Sequence, residues 1–89
     1  MISREIEIVN KLGLHARAAA KFVTEAGRYS SSVQLTRNDQ KVNGKSIMGV
    51  MMLAASQGTA LTLIIQGEDE ATAADALESL VKTRFGEPE

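Results

Sequence analysis

Residues 11–22 read KLGLHARAAAKF, and the change of pattern around them decides the fold. Upstream, residues 2–9 alternate: Ile2, Arg4, Ile6 and Ile8 share one face, and Ser3, Glu5 and Glu7 the other. That period of two predicts a half-buried strand. Residues 10–13, NKLG, break it. From Ala16 to about Gly27 the apolar positions Ala16, Ala19, Ala20, Val23 and Ala26 recur at helical spacing, and Gly27 is a stop signal. The chain thus passes from strand to helix through one short loop. The only histidine, His15, stands at the change, with Arg17 two places on.

Working outward, SVQLTR at 32–37 and QKVN at 40–43 predict two short strands joined at the turn pair Asn38-Asp39. Ser46 suits the N-cap of a short helix running through about Leu53. ALTLIIQ at 60–66 predicts the most apolar strand, with Leu61, Leu63 and Ile65 on one face. The acidic run Glu68, Asp69 and Glu70 suits the positive end of a helix dipole. Ala73, Ala74, Leu77, Leu80, Val81 and, at the far end, Phe85 then predict a long amphipathic helix. The order is β-α-β-β-α-β-α in one domain, residues 1–89. This is an α+β fold with helices on one face of a sheet and water on the other. The last residues, GEPE at 86–89, are the one stretch whose composition suggests disorder.

Composition narrows the function. Ten basic against eleven acidic residues give a net charge of −1, without the basic excess that marks a nucleic-acid binder. No cysteine means no disulfide, no thiolate chemistry and no thiolate metal site. A single histidine rules out a histidine-rich metal centre, so neither metal nor cofactor is expected. The N-terminal residues lack the apolar core of a secretory signal, and no apolar run approaches the roughly 20 residues of a membrane helix. The expectation is a soluble, cytoplasmic domain that neither binds nucleic acid nor inserts into a membrane.

A helix start leaves backbone N–H groups without partners and carries partial positive charge, so it favours bound phosphate. The same field disfavours imidazolium, which keeps a ring nitrogen lone pair available for nucleophilic attack. His15 therefore fits a transient phosphohistidine. Arg17 is placed to add a charge-assisted contact, Gly13 lets the loop approach closely, and the alanines at 16 and 18–20 leave the ring uncrowded. With no second histidine and no other catalytic group nearby, other proteins must deliver and remove the phosphoryl group. The residues also admit blander readings: a surface or capping histidine in a small regulatory or ligand-binding module, or a phosphatase-type site using Arg17.

GKS at 44–46 is not a phosphate-binding Walker loop, because position 39 is aspartate where that motif needs glycine. IMGVMML at 47–53 is apolar nearly all round. Val50 and Leu53 are expected in the core. Ile47, Met48 and Met51 are expected in a partly exposed docking patch, methionine being adaptable at surfaces with several partners.

GLHARAAA at 13–20 followed by NGKSIMGVMMLAASQG at 43–58 resembles the HPr family. These are histidine-containing phosphocarriers of the bacterial phosphoenolpyruvate:sugar phosphotransferase system, with a nitrogen-related branch, NPr. The resemblance covers essentially the whole chain. It implies an open-faced sandwich, a four-stranded antiparallel sheet with three helices on one face. It implies a carrier rather than an enzyme. Enzyme I would place a phosphoryl group from phosphoenolpyruvate on His15 Nδ1, and an enzyme IIA domain would take it. Arg17 matches the arginine that assists at the phosphate. Ser46 matches the serine modified by HPr kinase/phosphorylase. Ala16 and Ala20 join Ile47, Met48 and Met51 as expected partner contacts. A carrier with sequential partners works most simply as a monomer. Two positions depart from the common pattern: Ala18 stands where many members have proline, and Leu12 where many have a small polar residue.

Overall fold

A computed structural model describes all residues, 1–89. Strand β1 spans Ile2–Glu7 and β4 spans Ala60–Gln66, and they run antiparallel with Ile6 opposite Leu61 and Ile2 opposite Ile65. The alternation read from the sequence falls on one inner face, where Ile6, Leu61, Leu63 and Ile65 are buried. Arg4 shares that face. It reaches the edge and meets Asp75 at 2.7 Å and Glu78 at 2.9 Å, so the charge on the inner face is paired. Ladder pairing stops at Glu7, two residues before the predicted end, yet Ile8 stays buried and donates its N–H to Thr59.

Strands β2, Ser32–Arg37, and β3, Gln40–Asn43, form the expected hairpin, with Asn38 at φ +55° in the turn. β2 also pairs with β4, which puts Val33 beside Ile65 and Leu35 beside Leu63. The sheet order is β1-β4-β2-β3, all antiparallel. Helices α1, Ala16–Ala26, α2, Ile47–Met52, and α3, Glu70–Lys82, cover one face. Twenty buried side chains make one continuous core between helices and sheet.

Helix α1 is rotated from the expected face. Ala18, Ala19, Phe22 and Ala26 are buried, Ala20 and Val23 are half-buried, and Ala16 is exposed. Among near-equivalent alanines the hydrophobic direction is weak. One aromatic ring buries roughly 150–250 Å², so Phe22 sets the rotation.

Helix α3 buries Ala73, Ala74, Leu77 and Val81 as expected but ends at Lys82. Phe85 is buried from a separate 3-10 turn, Arg84–Gly86, after Arg84 and Phe85 adopt left-handed φ of +60° and +54°. Asp69 does not cap its own helix. Its carboxylate crosses to the start of β2, accepting hydrogen bonds from Ser30 N–H, Ser31 N–H and the Ser31 hydroxyl. The tail expected to be disordered is anchored: Lys21 Nζ donates to the Phe85 carbonyl at 2.7 Å, and Lys11 N–H to the Glu89 carbonyl at 3.1 Å. No helix is long and apolar enough to cross a membrane.

Candidate functional site

The loop before α1 is built to turn His15 outward. Asn10 is fully buried, and its side-chain Nδ2 donates to the Gly13 carbonyl at 2.8 Å while the Gly13 N–H returns to the Asn10 carbonyl. Gly13 has φ +70°, and a Cβ there would lie 2.6 Å from the Ala55 carbonyl oxygen. Only glycine fits both conditions. Leu14 is buried and its N–H donates to Ala55 at 2.8 Å. With Leu14 drawn into the core, the next side chain, His15, points away from it.

His15 occupies the N-cap position of α1 with extended backbone, and its carbonyl accepts the first helical bond from Ala19. Its ring does not cap the helix. The N–H groups of Ala16, Arg17 and Ala18 have no backbone acceptor, so they face outward as free donors. The ring lines an open cleft with Lys11, Leu12, Ala16, Arg17 and the tail residues Glu87, Pro88 and Glu89. Arg17 is exposed and its guanidinium makes no ion pair.

The ring itself is held from one side. His15 Nε2 lies 2.5 Å from Glu87 Oε2, and Glu87 Oε1 accepts from Asn10 Nδ2 at 3.0 Å. Burial pushes the Glu87 carboxyl up, but hydrogen bonds from Asn10 and His15 and the nearby His15 and Lys21 charges outweigh it and leave it below the usual glutamate value. Nδ1 makes no hydrogen bond.

Ser46 caps α2, its Oγ accepting from Gly49 N–H at 3.1 Å. Helix α2 packs beside α1, and the Ala55 carbonyl just beyond it holds Leu14, so one end of α2 adjoins the His15 loop. Six residues at 1.5 Å rise put Ser46, at the start of α2, about 9 Å along the helix from that end. Val50 and Leu53 are buried, whereas Ile47, Met48 and Met51 are exposed as expected. Met52, not assigned to the patch from sequence, and Leu12, singled out as a departure from the family pattern, are also about two-thirds exposed, at 65% and 69%. Ala16 lines the His15 cleft, but Ala20 opens into a shallow groove with Lys21, Thr24 and Leu80 on the α3 side. No three His, Asp or Glu side chains cluster as a metal site would need.

A family model described as PTS HPr component phosphorylation site matches residues 2–83. The chain belongs to the HPr family. The phosphocarrier protein HPr of Pseudomonas aeruginosa is 58% identical over 90 residues, covering 100% of both chains. The crystal structure of HPr-C-His from Thermoanaerobacter tengcongensis superposes with a TM-score of 0.96 at 47% identity, again covering 100% of both. That of the Bacillus subtilis catabolite repression protein Crh, described as a swapped-domain dimer, has a TM-score of 0.76 at 50% identity over 94% of this chain and 97% of that one. HPr relatives are phosphocarriers, not enzymes, and this chain shares that general role. The open-faced sandwich expected from the motifs is the fold observed.

Asn10 and Glu87 are the site residues that sequence reading passed over. Asn10 carried a signal, a polar residue at the start of a Gly-containing loop. Glu87 carried none, because it stands 72 positions from His15 in a stretch that looked disordered.

Proposed function

We propose that His15 Nδ1 accepts a phosphoryl group from phosphorylated enzyme I and yields it to an enzyme IIA domain. One observation carries this reading: Nδ1 is unbonded in an open cleft at a helix start, beside the unpaired Arg17 and three free N–H groups. A phosphoryl group on Nδ1 brings negative charge where those donors wait. The exposed Ile47, Met48 and Met51, with Met52, Leu12 and Ala16, supply the apolar surface on which donor and acceptor dock in turn. Ala20 contributes from the groove side.

Ser46 is the regulatory position in this reading, modified by HPr kinase/phosphorylase, with its new charge beside the docking surface. The carrier works in the cytoplasm as a monomer. Light scattering at working concentration checks the last point, and a stable dimer like that described for Crh overturns it. The acceptor is either a sugar-type or a nitrogen-type enzyme IIA, and competition between purified domains of both kinds for the phosphorylated carrier separates the two.

Incubation with phosphoenolpyruvate and enzyme I, followed by intact mass spectrometry, tests the core of the proposal. The expected result is an acid-labile gain of one phosphoryl group, absent from His15→Ala. No gain with a demonstrably phosphorylated enzyme I overturns it in favour of a regulatory binding module.

A further inference from the structure

We propose that Glu87 is the positioning residue of this site, holding the His15 ring with its proton on Nε2 so that Nδ1 presents its lone pair to the incoming phosphoryl group. The inference rests on the reading of His15 as acceptor and deepens it.

A neutral imidazole has one N–H and one lone pair, and the partner of one nitrogen decides the state of the other. An ionised carboxylate only accepts, so a carboxylate oxygen 2.5 Å from Nε2 requires the proton to lie there. The Glu87 carboxyl is held below its usual value, so it is ionised at neutral pH. The proton on Nε2 leaves Nδ1 as the nucleophile.

The carboxylate is itself fixed. Its other oxygen is bound by Asn10, whose single amide nitrogen spans the Gly13 carbonyl and Glu87, tying the loop that aims His15 to the tail that holds it. Behind Glu87, its own N–H returns to the Arg84 carbonyl, Phe85 is buried, and Lys21 grips the Phe85 carbonyl. Glu87 is thus a side chain on a pinned turn, 12% exposed, rather than the end of a loose tail. A carboxylate–imidazole pair of this kind orients the ring and stabilises its charged form without itself taking a proton.

The transfer balances without further groups. The Nδ1 lone pair attacks phosphorus, the new N–P bond forms, and the donor's bond to phosphorus breaks with its electron pair returning to the donor atom. The Nε2 proton stays in place throughout. The positive charge that the substituted ring then carries lies against Glu87. When the next acceptor attacks, the pair of the Nδ1–P bond returns to Nδ1 and the ring leaves neutral.

The test compares wild type, Glu87→Gln and Glu87→Ala in two ways: the ¹⁵N resonances of the His15 ring, and the rate of phosphoryl transfer from phosphorylated enzyme I. Wild type is expected to show the Nε2–H tautomer alone, and Glu87→Ala a mixture. Losing a hydrogen bond to a charged group should slow transfer by roughly ten- to a hundredfold, with KM for enzyme I little changed. Glu87→Gln, which keeps an accepting oxygen but no charge, should retain the tautomer and lose only part of the rate. Unchanged ring resonances and rate in Glu87→Ala overturn the proposal, and so does faster transfer, which would make the tail a cover over His15. If wild type takes no phosphoryl group at all, the carrier reading falls, while the ring resonances still decide whether Glu87 holds the tautomer.

Discussion

At Gly13 two demands meet, a left-handed φ of +70° and the Ala55 carbonyl 2.6 Å from any added Cβ. Gly13→Ala is therefore expected to cost about 1–3 kcal/mol, read as a lower urea midpoint, and to slow transfer by moving the loop that aims His15. Arg17 contrasts with it. It is exposed and unpaired, so Arg17→Ala should leave stability within about 0.5 kcal/mol of wild type. Phosphoryl transfer should nonetheless fall roughly ten- to a hundredfold, since the substitution removes a hydrogen-bond donor to a charged group. Denaturant unfolding and rapid-quench transfer assays separate the two effects. His15 and Arg17, which the structure brings into one cleft, stood out in the sequence as candidates because a lone histidine at a strand-to-helix change is conspicuous. Glu87 was not, because nothing local marks a residue that acts across 72 positions.

Helix α2 has only six residues, too few to persist by itself, and is fixed at both ends by side chains. Ser46 caps its start, and Arg37 Nη1 donates to the carbonyls of Leu53 and Ala54 at its close, at 2.8 and 3.1 Å. Ser46→Ala should cost about 1 kcal/mol by denaturant unfolding. Ser46→Asp should keep the cap, since aspartate caps as well as serine, and raise the KM for enzyme I by placing charge beside Ile47 and Met48. Equal enzyme I kinetics for the two proteins would count against the regulatory role. The cap and the buried Val50 and Leu53 showed in the sequence. The rotation of α1 did not, because five alanines give almost no directional preference until Phe22 finds its place in the core. The close of α3 did not either, since a left-handed turn at Arg84 and Phe85 uses residues that usually avoid it.

Across the molecule, the order β1-β4-β2-β3 brings the start of α3 against the start of β2, and Asp69 joins them. The hydroxyl of Ser31, then the N–H groups of Ser30 and Ser31, hold its carboxyl down to about 2. Unfolded, an aspartate titrates near about 3.9. A depressed carboxyl stabilises the fold fully above the unfolded value, and that contribution is lost as pH falls through the folded one. Asp69→Asn should therefore lower Tm at neutral pH and flatten the decline of Tm between about pH 5 and pH 2; equal curves for the two proteins would refute this. The order of elements was legible in the sequence from strand and helix periods and the antiparallel sheet only through the resemblance to HPr, whereas the strand order and the cross-chain role of Asp69, hidden behind a plausible helix-dipole role, were not.

The placement of His15 next to the α2 surface has a last consequence, for traffic. The whole protein measures 33 × 27 × 20 Å and exposes 4966 Å². On the proposed reading, a partner footprint of roughly 800 Å² centred on His15 takes in the adjoining α2 surface as well. Donor and acceptor can only queue for it. Each must leave before the other arrives, so flux through the carrier is set by how quickly partners let go and how many copies circulate. Very tight binding to either partner would stall the relay.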